Sequence, residues 1–449
     1  MPAFARQTGY YCTTCHTVQP ELTPFGRQFK LNGYVSGGTR CGDIRKIFGN
    51  WDLSSQEWSG ANLAMWVLPT FTNFQTKLSA PVAPGLGTNN IFDFSDATMF
   101  YAGQIYCNLG IFSQFSYAST GNPDGTAQIF WDNTELRYTQ RFQVAGNDVL
   151  LGTLANNNPG MQDVWNTVPA WAFPWVPTDI PATFGPPGTM IEGQFAGRAY
   201  GAGFYTWINS MFYAEISGYR SQDASLTKLA GFSVTDGQAR IDGIAPYWRL
   251  AIEKTWNEQS LMIGAYGMYA DQIPTVPGTG FQLNPGHTDK FNDVAADLQY
   301  QYIGPVHAVT VRVYNIYETQ KLDATFPTGG SNKPDQWLNG FNASVSYIYD
   351  RHISFTPAYF NYTGSSDATY WGGALGSINM RPDTNGYTFD LAYVPFPYGG
   401  PDFWPWLNAR IGVLYTHYDK YAGSSANWDG NGRSARDNDT TFLYAWIDY

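Results

Sequence analysis

The stretch DVAADLQYQY, residues 293–302, puts Asp293, Ala295, Asp297, Gln299 and Gln301 on one parity and Val294, Ala296, Leu298, Tyr300 and Tyr302 on the other. A β-strand points successive side chains to opposite faces, so this segment has one polar and one largely apolar face. Phe341, Ala343, Val345, Tyr347 and Tyr349 alternate with Asn342, Ser344 and Ser346 in the same way. One face suits lipid and the other a polar lumen. Composition agrees. Charged residues make up 14% of the 449 residues and aromatics 17%, with 47 glycines, whereas soluble domains carry about 25% charged residues. Mean hydropathy is -0.30, and no run of about 20 apolar residues is present to cross a bilayer as a helix. The chain reads as all-β, an antiparallel transmembrane β-barrel. A large secreted β-sandwich or propeller is the alternative.

Counted back from the C-terminus, short connections fall near 397–403, 349–351, 304–305, 256–258, 206–208, 145–147 and 106–109. Long ones fall near 420–438, 364–382, 321–336, 272–288, 222–242, 158–195, 119–125 and 73–94. Short periplasmic turns alternating with long outer loops mark outer-membrane barrels, here of about sixteen strands. The chain ends TTFLYAWIDY, where Leu443, Ala445, Ile447 and Tyr449 alternate up to a terminal aromatic, as expected of a closing strand. The connection NNNPGMQDVWNTVPAWAFPWVP, residues 156–177, holds too much Pro and Trp for ladder pairing. It either folds inward to narrow the pore or caps the outer surface.

Residues 1–50 are different in kind from the barrel assigned to residues 51–449. They contain CTTCH, residues 12–16, and C-x-x-C-H is the c-type haem attachment signature. Cys12 and Cys15 would form the thioethers, and His16, directly after them, would be one axial iron ligand. A redox C-x-x-C pair would want a βαβ context, and half a zinc site would want a second Cys/His pair nearby. Neither is visible. Fifty residues are too few to wrap a haem alone, and an exposed haem loses the apolar shell that sets its potential. A barrel of this size has a lumen to be filled, so the segment is expected to be its plug. The chain has 4 cysteines; the remaining two, Cys41 and Cys107, are free or form a bridge that pins the plug to the wall. No secretory signal is visible at Met1–Phe4, so the chain reads as a mature one with both termini periplasmic. A net charge of -11 with no Lys/Arg cluster argues against nucleic acid as a partner. Single-electron transfer at a haem would need no acid/base pair or nucleophile, and no Ser/His/Asp or HExxH arrangement is evident. Oligomeric state is left open.

Pro24, Phe25 and Gly26 are expected to turn the chain back over the haem, with Phe25 and Phe29 packing on its face. Arg6, Arg27 and Lys30 are candidates for the propionates, or else pair with lumen carboxylates such as Asp293 and Asp297. The distal ligand is open, because no methionine follows His16 within the plug. It comes from Met1, the barrel or a loop, or is absent. Met262 and His352 have polar neighbours near the periplasmic end, and Met161 and Met190 lie on the long connection. His307 and His417 share parity with lipid-facing residues and are set aside.

The segment PAFARQTGYYCTTCHTVQPELTPFGRQFKLNGY, residues 2–34, resembles the N-terminus of the fused monohaem cytochrome–porin family of bacterial outer membranes. A looser resemblance continues through WDNTELRY (131–138) and NNNPGMQDVWNTVPAW (156–171). The resemblance implies one covalent haem c inside a sixteen-stranded barrel. It implies that ferrous iron outside the cell supplies electrons and that a periplasmic cytochrome or copper protein accepts them. Outer-loop carboxylates such as Asp163, Asp179 and Glu192 are candidates to hold the iron in passing. The competing readings are a haem-plugged solute channel and the same conduit with another extracellular donor.

Overall fold

The computed structural model describes residues 1–35, 62–120, 125–176, 180 and 184–449. Its strands are β1 (Leu63–Phe74), β2 (Ile91–Tyr106), β3 (Leu109–Ala118), β4 (Gln128–Val144), β5 (Asn147–Asn156), β6 (Ala199–Ile208), β7 (Phe212–Ser221), β8 (Arg240–Asp242) and β9 (Ala245–Trp256). They continue as β10 (Gln259–Ile273), β11 (Asp289–Ile303), β12 (His307–Lys321), β13 (Asp335–Tyr349), β14 (Ile353–Gly364), β15 (Thr384–Tyr393), β16 (Asn408–Lys420) and β17 (Thr440–Asp448). Each pairs antiparallel with its neighbours, and β17 returns to β1, so the sheet is closed. Short β8 and long β9 both pair with β10 and form one interrupted stave, which leaves sixteen staves. No helix among the described residues is long and apolar enough to cross a membrane.

The alternation expected from 293–302 is observed: Asp293 is 1% exposed and its neighbour Val294 is 49% exposed. The same parity holds in β13, where Ser344 and Ser346 are buried and Val345 and Tyr347 exposed. An apolar outer belt around a polar interior is the transmembrane-barrel arrangement. At one end the staves are joined by tight turns such as Ala145–Gly146 and Asp350–Arg351, whose positive φ angles give the twist that hairpins favour. The turn expected at 206–208 is displaced: those residues finish β6, and Asn209 and Ser210, both at φ 53, make the reversal. The connection placed near 397–403 spans 394–407, between β15 and β16.

Two segments fill the lumen. The first is the N-terminal segment, with α1 (Pro2–Thr8), α2 (Cys12–Cys15) and α3 (Pro24–Leu31). Arg27 is 1% exposed and donates to Gln299 at 3.0 Å, Gln301 at 2.6 Å and Ser260 at 3.0 Å, and it pairs with Glu253. Glu21 pairs with Arg312, Arg410 donates to the Gln19 carbonyl at 2.7 Å, and Tyr205 donates to the Leu31 carbonyl at 2.6 Å. The second is the described part of the connection between β5 and β6 (157–176, 180 and 184–198), which folds inward rather than capping the outside. Met161, Val164, Trp165 and Val168 are buried, and the Trp165 indole donates to Glu253 at 2.7 Å. The two fillers also meet each other: Leu22 N donates to Asn166 Oδ1 at 3.0 Å, and Lys30 Nζ to the carbonyls of Met161 (2.6 Å) and Asp163 (2.9 Å).

The proposed boundary at residues 50/51 and Cys41 lie outside the described residues. Cys107 is disulfide-bonded, and Cys12 and Cys15 are free thiols. Thr23 caps α3 by accepting from Gly26 N at 3.1 Å and also donates to the Thr14 carbonyl at 2.7 Å. Thr23→Ala removes both bonds and is expected to cost about 1 kcal/mol, read as a lower thermal midpoint for release of the N-terminal segment with the barrel transition unmoved.

Candidate functional site

The sequence CTTC closes one helical turn, so the thiols of Cys12 and Cys15, three residues apart, lie on one face. His16 N donates to the Cys12 carbonyl at 2.9 Å, and the chain then leaves extended, pairing His16 with Leu22. The ring is held by its own loop. His16 Nδ1 lies 3.2 Å from the Pro20 carbonyl oxygen. A carbonyl can only accept, so Nδ1 carries the proton and Nε2 keeps its lone pair. Desolvation pushes the imidazolium down to about 3, against the pull of the Pro20 and Glu21 carbonyls, and the ring is neutral. The same desolvation raises the Cys15 thiol to about 11.

α3 is pressed directly against this turn. Thr23 N donates to the Cys15 carbonyl at 2.9 Å. A Cβ on Gly26 would lie 2.2 Å from that same oxygen, so only glycine permits the approach.

Cys12, Cys15 and His16 all border a cavity of about 380 Å³ inside the barrel. The N-terminal segment contributes Phe4, Phe29 and Tyr34 to its walls, the barrel contributes Trp66, Phe100 and Phe112, and the inward connection contributes Trp171 and Trp175. Phe29 meets Phe4 edge to face and Tyr34 stacks on it, at 5.1 and 5.4 Å between ring centroids. Trp175 is clamped by the guanidinium groups of Arg312 and Arg410, at 4.7 and 5.2 Å from its ring. Lys30 borders the cavity with its ammonium 4.9 Å from the Trp171 ring, and desolvation lowers that ammonium to about 8.

Several candidates from the sequence lie elsewhere. Phe25 is 40% exposed and packs on Tyr10 at the short-turn mouth, outside the cavity. Arg27 is consumed by the barrel wall; the alternative of a lumen carboxylate is right in kind, but the partner is Glu253 rather than Asp293 or Asp297. Arg6 lies over the Tyr449 ring at 5.3 Å and donates to the Leu63 carbonyl. None of the four distal candidates reaches the cavity. Met262 is packed with Leu31 and Trp165, and Met190 sits in the core with Phe195 and Tyr247. Met161 is fully buried, and His352 lies in a turn against Tyr393 and Tyr398. The cavity is bordered instead by Met1 and Met65. His307 and His417 face outward as expected, His417 bonding Asp439 at 2.6 Å.

Of the loop carboxylates, Asp163 is buried against Arg249 at 3.3 Å, and Glu192 accepts from Thr189 N at 2.7 Å and from Tyr362. Asp179 lies outside the described residues. The tryptophan walls were invisible as such in the sequence, although the Pro- and Trp-rich composition of 156–177 was the available signal.

No family model matches the chain, and no curated protein matches it. Among solved structures it is similar to a loop L8 deletion mutant of the outer-membrane protein OmpT of Vibrio cholerae, at 9% identity and TM-score 0.44, covering 86% of this chain and 97% of that one. It is similar to the outer-membrane channel DcaP of Acinetobacter baumannii at 10% identity and TM-score 0.43, covering 86% and 96%. An anion-selective porin from Comamonas acidovorans matches at 10% identity and TM-score 0.42, covering 86% and 98%. With TM-scores below 0.5, these likenesses carry no function and no residue correspondence to this chain.

Proposed function

We propose that this chain is an outer-membrane electron conduit. It takes electrons from extracellular ferrous iron at a single c-type haem inside the barrel and passes them to a periplasmic cytochrome or copper protein. One observation carries the reading: the C-x-x-C-H turn opens onto an aromatic-walled cavity within a closed barrel whose lumen is filled. The residues fit a c-type haem. Two thiols stand on one face, a neutral histidine keeps Nε2 free, and aromatic rings make up much of the wall, beside polar side chains such as Asp96, Gln114 and Asp132. Cys12 and Cys15 would hold the group covalently, His16 would ligate its iron, and Phe4, Phe29 and Trp175 would enclose it. When bound, it supplies a one-electron ferric/ferrous couple. The protein's own part is positional: the Pro20 carbonyl aims the imidazole, and Gly26 lets α3 close over the attachment turn. The short-turn end, where Tyr11 is 57% exposed beside the attachment turn, is the periplasmic face that meets the acceptor.

Anaerobic stopped-flow mixing of the oxidised protein with ferrous iron at acid pH, followed at the haem α-band, tests the reading. Rapid reduction with a rate rising with iron concentration is expected. A band that dithionite reduces and ferrous iron does not would remove iron as the donor. In Cys12→Ala/Cys15→Ala the covalent pyridine-haemochrome signal is expected to vanish, with the folded barrel retained.

A further inference from the structure

One buried cation of the lumen lacks a counter-ion. Arg27, Arg137, Arg249, Arg312 and Arg410 pair with Glu253, Glu135, Asp297, Glu21 and Asp390. Lys30 is buried too, at 7% exposed, yet among the described residues its ammonium meets no carboxylate oxygen. Nζ donates to the carbonyls of Met161 at 2.6 Å and Asp163 at 2.9 Å, and it lies 4.9 Å from the Trp171 ring. The carboxyls that act on it from farther off are already engaged. Glu135 pairs with Arg137, Asp163 with Arg249, and Glu215 accepts from Gln162, Tyr213 and Ser217. An ammonium carries three N–H donors, so one remains beyond the two carbonyls. A buried charge without an opposite charge beside it is costly.

Lys30 borders the same cavity as Cys12, Cys15 and His16, and among the described residues it is the one lysine or arginine to do so. Asp96, Asp132, Asp163 and Asp448 also border it, so an anion inside has one favourable side chain to approach. Lys30 stands four residues after Gly26 on α3. That is about 6 Å along the helix from the point where Gly26 meets the Cys15 carbonyl. Both thiols and, one helical turn on, an ammonium in need of an anion therefore share one cavity. We propose that Lys30 anchors a propionate carboxylate of the haem, its remaining N–H meeting that carboxylate in a charge-assisted bond. The assignment rests on the haem being held at Cys12, Cys15 and His16. Neither of the other two cations of the segment borders the cavity: Arg27 is paired with Glu253, and Arg6 lies over Tyr449. The carboxylate would also keep Lys30 charged against the desolvation that otherwise lowers it to about 8.

The test compares Lys30→Met and Lys30→Arg in the full haem-loaded chain in detergent. Resonance Raman spectra of the ferric haem contain propionate-bending bands that report hydrogen bonding to the carboxylates. A downward shift of one band is expected in Lys30→Met, and a near-parental position in Lys30→Arg. The midpoint potential should fall in Lys30→Met, because removing a nearby cation favours the ferric state, and should be largely kept in Lys30→Arg. A lysine that only ties α3 to the inward connection would loosen protease protection of residues 1–35 and leave the propionate bands unmoved. That result overturns the anchor. Should Lys30→Met not keep the segment docked, Lys30→Gln retains a donor for the carbonyls without the charge. The same fall in potential is expected of it, and an unchanged potential overturns the anchor. A chain with no covalent haem by pyridine haemochrome sinks the haem assignment and the anchor together. A haem that ferrous iron fails to reduce removes the donor alone, and the Raman and potential results still decide the role of Lys30.

Discussion

Arg27→Met is expected to release the N-terminal segment from the lumen while the barrel stays closed. The guanidinium ties α3 to the wall formed by β9, β10 and β11, meeting Glu253, Gln299, Gln301 and Ser260 with 1% of its surface exposed. Methionine fills much of the volume but leaves Glu253 as a buried charge whose remaining partner is the Trp165 indole at 2.7 Å. Breaking one side of a buried pair costs about 3–5 kcal/mol. The sixteen-stave ladder does not depend on this contact, so the loss is borne by docking of the segment. Limited proteolysis should cut residues 1–35 of the variant under conditions where the parent resists, and planar-bilayer conductance should rise. Adding Glu253→Gln removes the stranded charge and is expected to restore part of the protection, which a double-mutant cycle quantifies. Unchanged protease resistance and conductance in Arg27→Met would mean the pair does not hold the plug.

Gly26→Val is expected to separate α3 from the attachment turn. Its Cβ would lie 2.2 Å from the Cys15 carbonyl oxygen and 3.0 Å from the carbonyl carbon. Both atoms are backbone, so no side-chain rotation relieves the clash, and the cost is about 3 kcal/mol. The backbone at Gly26 is helical, so the effect is steric and owes nothing to glycine's conformational freedom. Because Thr23 N and the Gly26 Cα both approach Cys15, the His16 loop shifts with them. A haem α-band reduced in height and displaced in wavelength is the expected readout, with barrel mobility on gels unchanged. An unaltered band would show that α3 and the C-x-x-C turn are not rigidly joined.

The barrel was legible because its signals are local. Parity in 293–302 depends only on neighbouring residues, and it marked Asp293 inward and Val294 outward correctly. Most turns were found within a residue or two, and the Asn209–Ser210 reversal was placed slightly early, at 206–208. The lumen was less legible, because its contacts join distant parts of the chain. Arg27 and Glu253 are brought together by the depth at which α3 lodges, which no periodicity encodes. Phe25 and Phe29 share a helix face by their spacing, yet only Phe29 borders the cavity, since Phe25 projects past the mouth toward Tyr10. The distal candidates failed for the same reason. Inward parity put Met262 on the correct face, but Leu31 and Trp165 occupy the space around it.

The most direct test of the conduit encloses oxidised cytochrome c in proteoliposomes carrying the protein and adds ferrous iron outside at acid pH without oxygen. Reduction of the enclosed cytochrome is expected with the unaltered chain and should be absent with Cys12→Ala/Cys15→Ala. No reduction with the unaltered chain, or equal reduction with the cysteine-free variant, would contradict electron transfer through the C-x-x-C-H site.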